Sequence, residues 1–149
     1  AYIPLFEDYL TICKESGKRP IIEFKPKNPK KKYLKQIVKY IDEYMGIENV
    51  TFIAFYPWPL IKLRTMLHKK VHLQQLLEEG HDKTLHKWAK FFKMDIDIED
   101  RLLTTKLVEI FHKKNLKVNC WTVDDEEMLR KLEDWGVDYI TTNVFNQKS

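Results

Sequence analysis

Long apolar runs are missing from this sequence. No stretch approaches the roughly 18 residues needed to span a bilayer, and nothing at the start reads as a signal peptide. The chain opens Ala1-Tyr-Ile-Pro4 without an initiator methionine, so its natural N-terminus is expected to have been removed or to lie upstream. Cysteine is scarce: Cys13 and Cys120 stand far apart, match no zinc or redox spacing, and read as two reduced, packed thiols. No glycine-rich loop follows any predicted strand, which weighs against a nucleotide-binding open sheet. Arginine is rare among the 26 basic residues, and the densest patch, Lys25-Pro-Lys-Asn-Pro-Lys-Lys-Lys32, lacks interleaved arginine or aromatic residues. That excludes nucleic acid as the expected partner and favours a solvated loop face. A mild attraction for anionic substrates or membrane surfaces stays open. Localisation is not assigned, with a cytoplasmic or membrane-associated setting favoured over secretion.

What is present suits one globular domain over 1–149. Hydrophobic residues make up 44% and charged residues 32%, which argues against disorder. A helix is predicted from Leu5 to Ser16, with Leu5, Tyr9, Ile12 and Cys13 as its stripe and Gly17 as its end. The short strand Ile21–Lys25 stops at Pro26. The next helix, Lys31 to Met45, carries Leu34, Ile37, Val38 and Ile41, with Gly46 at its C′ position. Val50–Phe55 reads as a strand, punctuated by Pro57 and Pro59 before helical spacing resumes over Leu60–Leu67. Val71–Leu76 is a weaker strand, and Lys83–Phe92 is helical. Met94–Ile98 alternates with period two. Thr104 caps a helix reaching Lys114 with Leu107, Val108, Ile110 and Phe111 buried, and Asn115 fits its C′ end. Val118–Val123 is a strand, Asp125–Trp135 a helix closed by Gly136, and Tyr139–Thr142 a final strand.

Helix and short apolar strand thus alternate throughout, which means parallel strands joined by crossover helices. Polar or aromatic residues gather at strand C-terminal ends: Glu23 and Lys25, Phe55, Trp121 and Thr122, Thr142. A (β/α)8 TIM-type barrel needs that distribution, because its reacting groups come from several strand ends at one face. Five or six strands are visible, whereas a barrel commonly takes ~250 residues. The expected α/β fold is therefore a partial barrel lacking roughly the first three strands.

Glu23 and Lys25 stand two apart on one predicted strand and project to the same side. Such a pair is costly inside a barrel unless it is an ion pair or meets a metal and an anion. The two readings, structural and functional, weigh equally on these residues alone. Trp121 shares a side with Asn119 and Val123 and reads first as core packing.

The segment Val118-Asn-Cys-Trp-Thr-Val-Asp-Asp-Glu-Glu-Met128, with Leu132-Glu-Asp-Trp-Gly-Val-Asp-Tyr-Ile-Thr-Thr142, resembles the C-terminal signature of the glycerophosphodiester phosphodiesterase family. That signature reads roughly V-x-V-W-T-V-N, then G-V-D-G-I-I-T-D. Four further pieces resemble the family in its own order: Ile3–Leu10 its I-P-T-L-E-E-x-L helix start, Ile21-Ile-Glu-Phe-Lys25 its I-E-I-K strand, Ile53-Ala-Phe55 its S-F strand end, and Leu103–Val108 its L-T-x-E-L-V helix. The resemblance implies a (β/α)8 barrel that hydrolyses glycerophosphodiesters to an alcohol and glycerol phosphate with a divalent cation, Mg²⁺ or Ca²⁺. It implies Glu23 as a metal ligand, Lys25 near the phosphate, and Phe55 and Trp121 as walls against the substrate.

The family's H-R-G, P-E-N-T, E-x-D and H-D motifs are not found in this sequence, so no catalytic residue is assigned. His68, His72, His81, His86 and His112 match no family motif and read as surface residues, with His72 at a strand start. Smaller departures are Ala54 for Ser, Asp124 for the Asn after W-T-V, Tyr139 for Gly, and Asn143 for the final Asp. The chain alone is expected to be inactive or nearly so. The alternative is a non-catalytic, degenerate barrel module that binds or assembles. A partial barrel leaves strand edges unpaired, so self-association or pairing with the missing N-terminal half is expected.

Overall fold

The computed structural model describes residues 5–68, 71–80 and 84–145. The predicted histidine His81, the first residues of the Ile3–Leu10 segment and Lys83 lie outside them. The chain divides into two compact units, 1–73 and 74–149.

In the first unit, α1 (Phe6–Glu15) leads to β1 (Ile21–Glu23), α2 (Lys31–Met45), a 3₁₀ turn at Ile47–Asn49, β2 (Thr51–Ala54) and α3 (Pro57–Leu67). β1 and β2 are parallel, with Ile22 opposite Phe52 and Glu23 opposite Ile53. The helix-facing side is apolar: Phe24 stacks on Phe52 at 5.4 Å, and Leu34, Val38 and Ile41 of α2 are buried. Gly46 adopts φ +83°, the left-handed backbone expected where α2 stops.

Three expectations shift here. α1 buries Leu10 and Cys13 rather than the whole stripe, leaving Leu5 65% and Ile12 63% exposed. Tyr9 instead turns its hydroxyl onto β1. Pro57 and Pro59 do not precede α3 but begin it, because a proline in the first turn loses an N–H that has no intrahelical partner. β1 ends at Glu23; the Phe24 N–H still bonds Ile53 O at 2.9 Å, and Lys25 lies beyond the ladder.

β3 (His72–Leu77) crosses the division. The second unit continues with α4 (Leu85–Phe91), β4 (Asp95–Glu99), a 3₁₀ turn at Asp100–Leu102, α5 (Thr105–His112), β5 (Val118–Trp121), α6 (Glu126–Asp134) and β6 (Tyr139–Ile140). β3 to β6 pair in chain order, all parallel. The predicted alternation of helix and strand is thus present, with six strands among the described residues. α5 and α6 begin where side chains satisfy helical N–H groups: Thr104 Oγ1 accepts from Leu107 N, and Asp125 Oδ2 from Met128 N. Ile96, Ile98, Val118 and Cys120 are buried, as are Val108, Phe111 and Leu132 of the helices. Register partners in parallel strands share a face. Asp97 therefore sits with Asn119, and Glu99 with Trp121, on the side opposite those apolar residues.

Candidate functional site

In the first unit, β1 delivers Glu23 to its C-terminal end. The Lys25 ammonium donates to Glu23 Oε2 at 2.8 Å and lies 2.7 Å from Oε1, which is buried and outside hydrogen-bond geometry. The lysine side chain is 78% exposed and the glutamate 25%, so this is not an internal ion pair. An exposed pair contributes on the order of 0–1 kcal/mol to stability. A structural role alone is a weak account of it. Beside the pair opens a hollow of about 500 Å³ walled by Phe24, Pro26, Pro29, Tyr33, Leu34 and Ile37, with Glu23 and Lys25 at its polar side. Phe55 is half-buried, one residue beyond β2, and is not among the residues lining that hollow.

In the second unit, Trp121 ends β5 half-exposed, and its indole N–H donates to Asp97 O at 3.1 Å, fixing the ring over the neighbouring strand. Glu99, its register partner, accepts the Glu79 backbone N–H at 3.0 Å and the Arg101 Nε at 2.9 Å. The Glu79 N–H first, and Arg101 with it, hold the Glu99 carboxyl below its ordinary range. Sequence reasoning missed Asp97 and Glu99. The signal was available: the period-two run at 94–98 places Asp95, Asp97 and Glu99 on one face.

Asp97 is 5% exposed and Asn119 3% exposed, and Asp97 Oδ1 and Asn119 Oδ1 have no hydrogen-bond partner. Burial pushes the Asp97 carboxyl up to about 7. A buried carboxyl without donors favours its neutral form.

Past the strand ends, two of the smaller departures from the family pattern, Asp124 and Asn143, face each other. Asp124 Oδ1 accepts from the Asn143 N–H at 2.7 Å and from Thr142 Oγ1 at 3.1 Å, while Oδ2 accepts from Asn143 Nδ2 at 2.9 Å. Where the family motif has Asn and then Asp, this chain has Asp and then Asn. In this chain the carboxylate and the amide at these two positions are hydrogen-bonded to each other. The Asn143 groups first, with Thr142, hold Asp124 below the usual carboxylate range.

Among the described histidines, His112 Nε2 meets Asp138 Oδ2 at 2.8 Å on the surface, and His68 and His72 are exposed. No group of three or more His, Cys, Asp or Glu side chains that could hold a metal occurs among the described residues.

The sequence profile of the glycerophosphoryl diester phosphodiesterase family matches residues 1–147. The chain belongs to that family. Its fold is similar to solved members. A candidate glycerophosphodiester phosphodiesterase from Galdieria sulphuraria superposes with a TM-score of 0.81 at 22% identity, over 94% of this chain and 60% of that one. A glycerophosphodiester phosphodiesterase from Parabacteroides distasonis gives 0.77 at 22% identity, over 93% and 59%. An Oleispira antarctica phosphodiesterase, solved with the product sn-glycerol-3-phosphate, gives 0.76 at 15% identity, over 94% and 57%. These are TIM barrels, and the six parallel strands of this phosphodiesterase-family chain form part of such a barrel. The chain spans somewhat over half the length of these structures. A comparison with curated proteins finds no match.

Two measurements follow from the second unit. With Asp97 raised from 3.8 to about 7, the folded state holds a proton that the unfolded chain has released. Stability from this group is full below about pH 3.8 and falls as the pH rises to about 7, by at most ~1.4 kcal/mol per pH unit, then levels. Asp97→Asn is expected to flatten the pH dependence of the urea midpoint in that window; parallel pH profiles for the two proteins would refute the assignment. Separately, Asp124→Asn and Asn143→Asp should each lower the melting midpoint, whereas the double exchange should recover most of the loss. Additive losses in the double variant would mean the pair is not coupled.

Proposed function

We propose that this chain forms part of an enzyme that hydrolyses glycerophosphodiesters to an alcohol and glycerol phosphate with the help of a divalent cation. Family membership across 1–147, together with the Glu23–Lys25 contact at the end of β1, carries the reading. Glu23 is the residue suited to hold the cation: its Oε1 is buried yet outside hydrogen-bond geometry, and a hard carboxylate oxygen suits Mg²⁺ or Ca²⁺. The fit is one of donor type and not of number, since either ion takes six or more oxygens and the described residues offer no further cluster. When bound, the cation would offset charge on the phosphoryl oxygens. Lys25, swinging on an exposed stem, would take one of those oxygens once Glu23 is engaged elsewhere. Phe55 and Trp121 would supply apolar walls for the glycerol and alcohol parts. Trp121 suits that task because the Asp97 carbonyl already fixes its indole. No general acid or base is assigned within the chain, and the chain alone is therefore inactive in this reading, since such groups commonly give ~10²–10⁴-fold each.

The test compares the chain with a longer protein that carries it. Release of glycerol phosphate from glycerophosphocholine, with Mg²⁺ or Ca²⁺, is expected from the longer protein and not from the chain. Glu23→Gln should lower that turnover by ~10²-fold or more and weaken cation dependence; Lys25→Ala should act chiefly on kcat/KM. Full activity of Glu23→Gln in the longer protein would sink the metal-ligand role, and robust chelator-sensitive turnover by the chain alone would show that its catalytic groups were overlooked.

One observation favours a second reading, association through the first unit. β1 is paired by β2 on one side. On the other, Ile21 N–H donates to the Tyr9 hydroxyl at 3.3 Å, and that hydroxyl reaches Ile21 O at 3.5 Å. Exposed Leu5, Ile12 and Ile21 lie in the same unit. Light scattering across a concentration series should show mass growth if this face takes a second copy or a further segment. A constant monomer mass would exclude self-association.

A further inference from the structure

We propose that the lysine loop after β1, with Tyr33, Tyr56 and Trp58, is a docking surface for anionic lipid bilayers. This inference stands on the first unit's own surface and does not need the phosphodiesterase reading. Residues 25–32 hold five lysines and no acid, and all five are exposed. Three of them are misplaced for the fold. α2 starts with Lys30 at its N-cap and Lys31 and Lys32 as its first helical residues, with no acid in the first turn. The positive end of a helix favours anions, so these cations cost stability there. Two other helices follow the rule, α1 with Glu7 and Asp8 and α6 with Glu126 and Glu127 behind the Asp125 cap, and no other helix among the described residues gathers three lysines at its start. A local choice that opposes the fold points to a task on the surface.

The aromatic residues complete the patch. Trp58 is 47% exposed, Tyr33 50% and Tyr56 37%, in a unit whose other large aromatics include the fully buried Phe52. The loop is held against the middle of α3, because Lys62 Nζ bonds Pro29 O at 2.8 Å and Asn28 Oδ1 at 2.5 Å. Lys27 Nζ lies 5.5 Å from the ring centre of Tyr56, the residue that caps α3, which sets a loop cation at the start of the helix where exposed Trp58 follows two residues on. Amphipathic rings flanked by lysines suit the headgroup layer, where the ring meets glycerol and acyl carbon and the ammonium meets phosphate. The hollow walled by Phe24, Pro26, Pro29 and Tyr33 opens beside them and offers apolar room at the same place. A nucleic acid is the other polyanion to weigh. It would use open ring faces for stacked bases, whereas Lys32 lies 4.9 Å over Tyr33 and Lys27 covers Tyr56. The patch also relies on lysine, with no arginine in it, and so lacks the planar fork that reads phosphate backbones and bases.

Sedimentation of the full 149-residue chain with vesicles tests this. Binding is expected to phosphatidylcholine vesicles containing about one-third phosphatidylserine, to be absent with phosphatidylcholine alone, and to fall steeply with added salt. Lys27→Gln/Lys31→Gln/Lys32→Gln should weaken it by about 100-fold, from roughly five-fold per lysine. Tryptophan emission should shift to the blue on binding in the parent chain and not in Trp58→Phe. The latter replacement keeps an aromatic ring at the site and keeps the test decisive should the triple variant fail to fold. Equal binding to neutral and anionic vesicles, an emission shift that persists in Trp58→Phe, or tighter binding to single-stranded or duplex nucleic acid than to the anionic vesicles would each overturn the proposal.

Discussion

Parallel pairing is the constraint from which the second unit's chemistry follows. Because register partners in a parallel ladder lie on one face, the pairing of Asp97 with Asn119 and of Glu99 with Trp121 is not a matter of side-chain preference. Once Ile96, Ile98, Val118 and Cys120 bury one side, the polar residues between them must crowd the other. The result is a face that begins with buried, under-satisfied oxygens and ends, at the strand termini, with an ion pair and a fixed indole. The polar cluster is expensive in a buried setting.

Much of the fold was legible because local chemistry and global pattern agreed. The stripe of α2, the Thr104 and Asp125 caps and the left-handed Gly46 each emerged where the residues said they would. Helix α1 was read less well. Its apolar residues surround too much of the circumference for periodicity to choose a face, and Tyr9 is drawn to a strand edge by a hydrogen bond that no spacing rule contains. The prolines ahead of α3 misled for a simple reason: the same residue that terminates one element is well suited to begin the next.

The site was legible unevenly. Glu23 and Lys25 meet, as their spacing suggested, but with the lysine exposed and beyond the ladder rather than as a buried pair. The Asp95-Ile-Asp-Ile-Glu99 run disclosed a strand while its carboxylates went unread. Periodicity reports which face a residue occupies, and only the neighbouring strand tells whether that face is dry. The Asp124–Asn143 exchange looked like two unrelated departures along the chain. Folded, they form one contact, with the Asn143 amide donating to the Asp124 carboxylate.

The hydroxyl of Tyr9 has a further implication. It answers both the N–H and the carbonyl of Ile21 on the open margin of β1, as a neighbouring backbone would. A single phenol thereby occupies the place that the backbone of another strand would take, so the margin of β1 ends on a side chain instead of on unpaired peptide groups at Ile21.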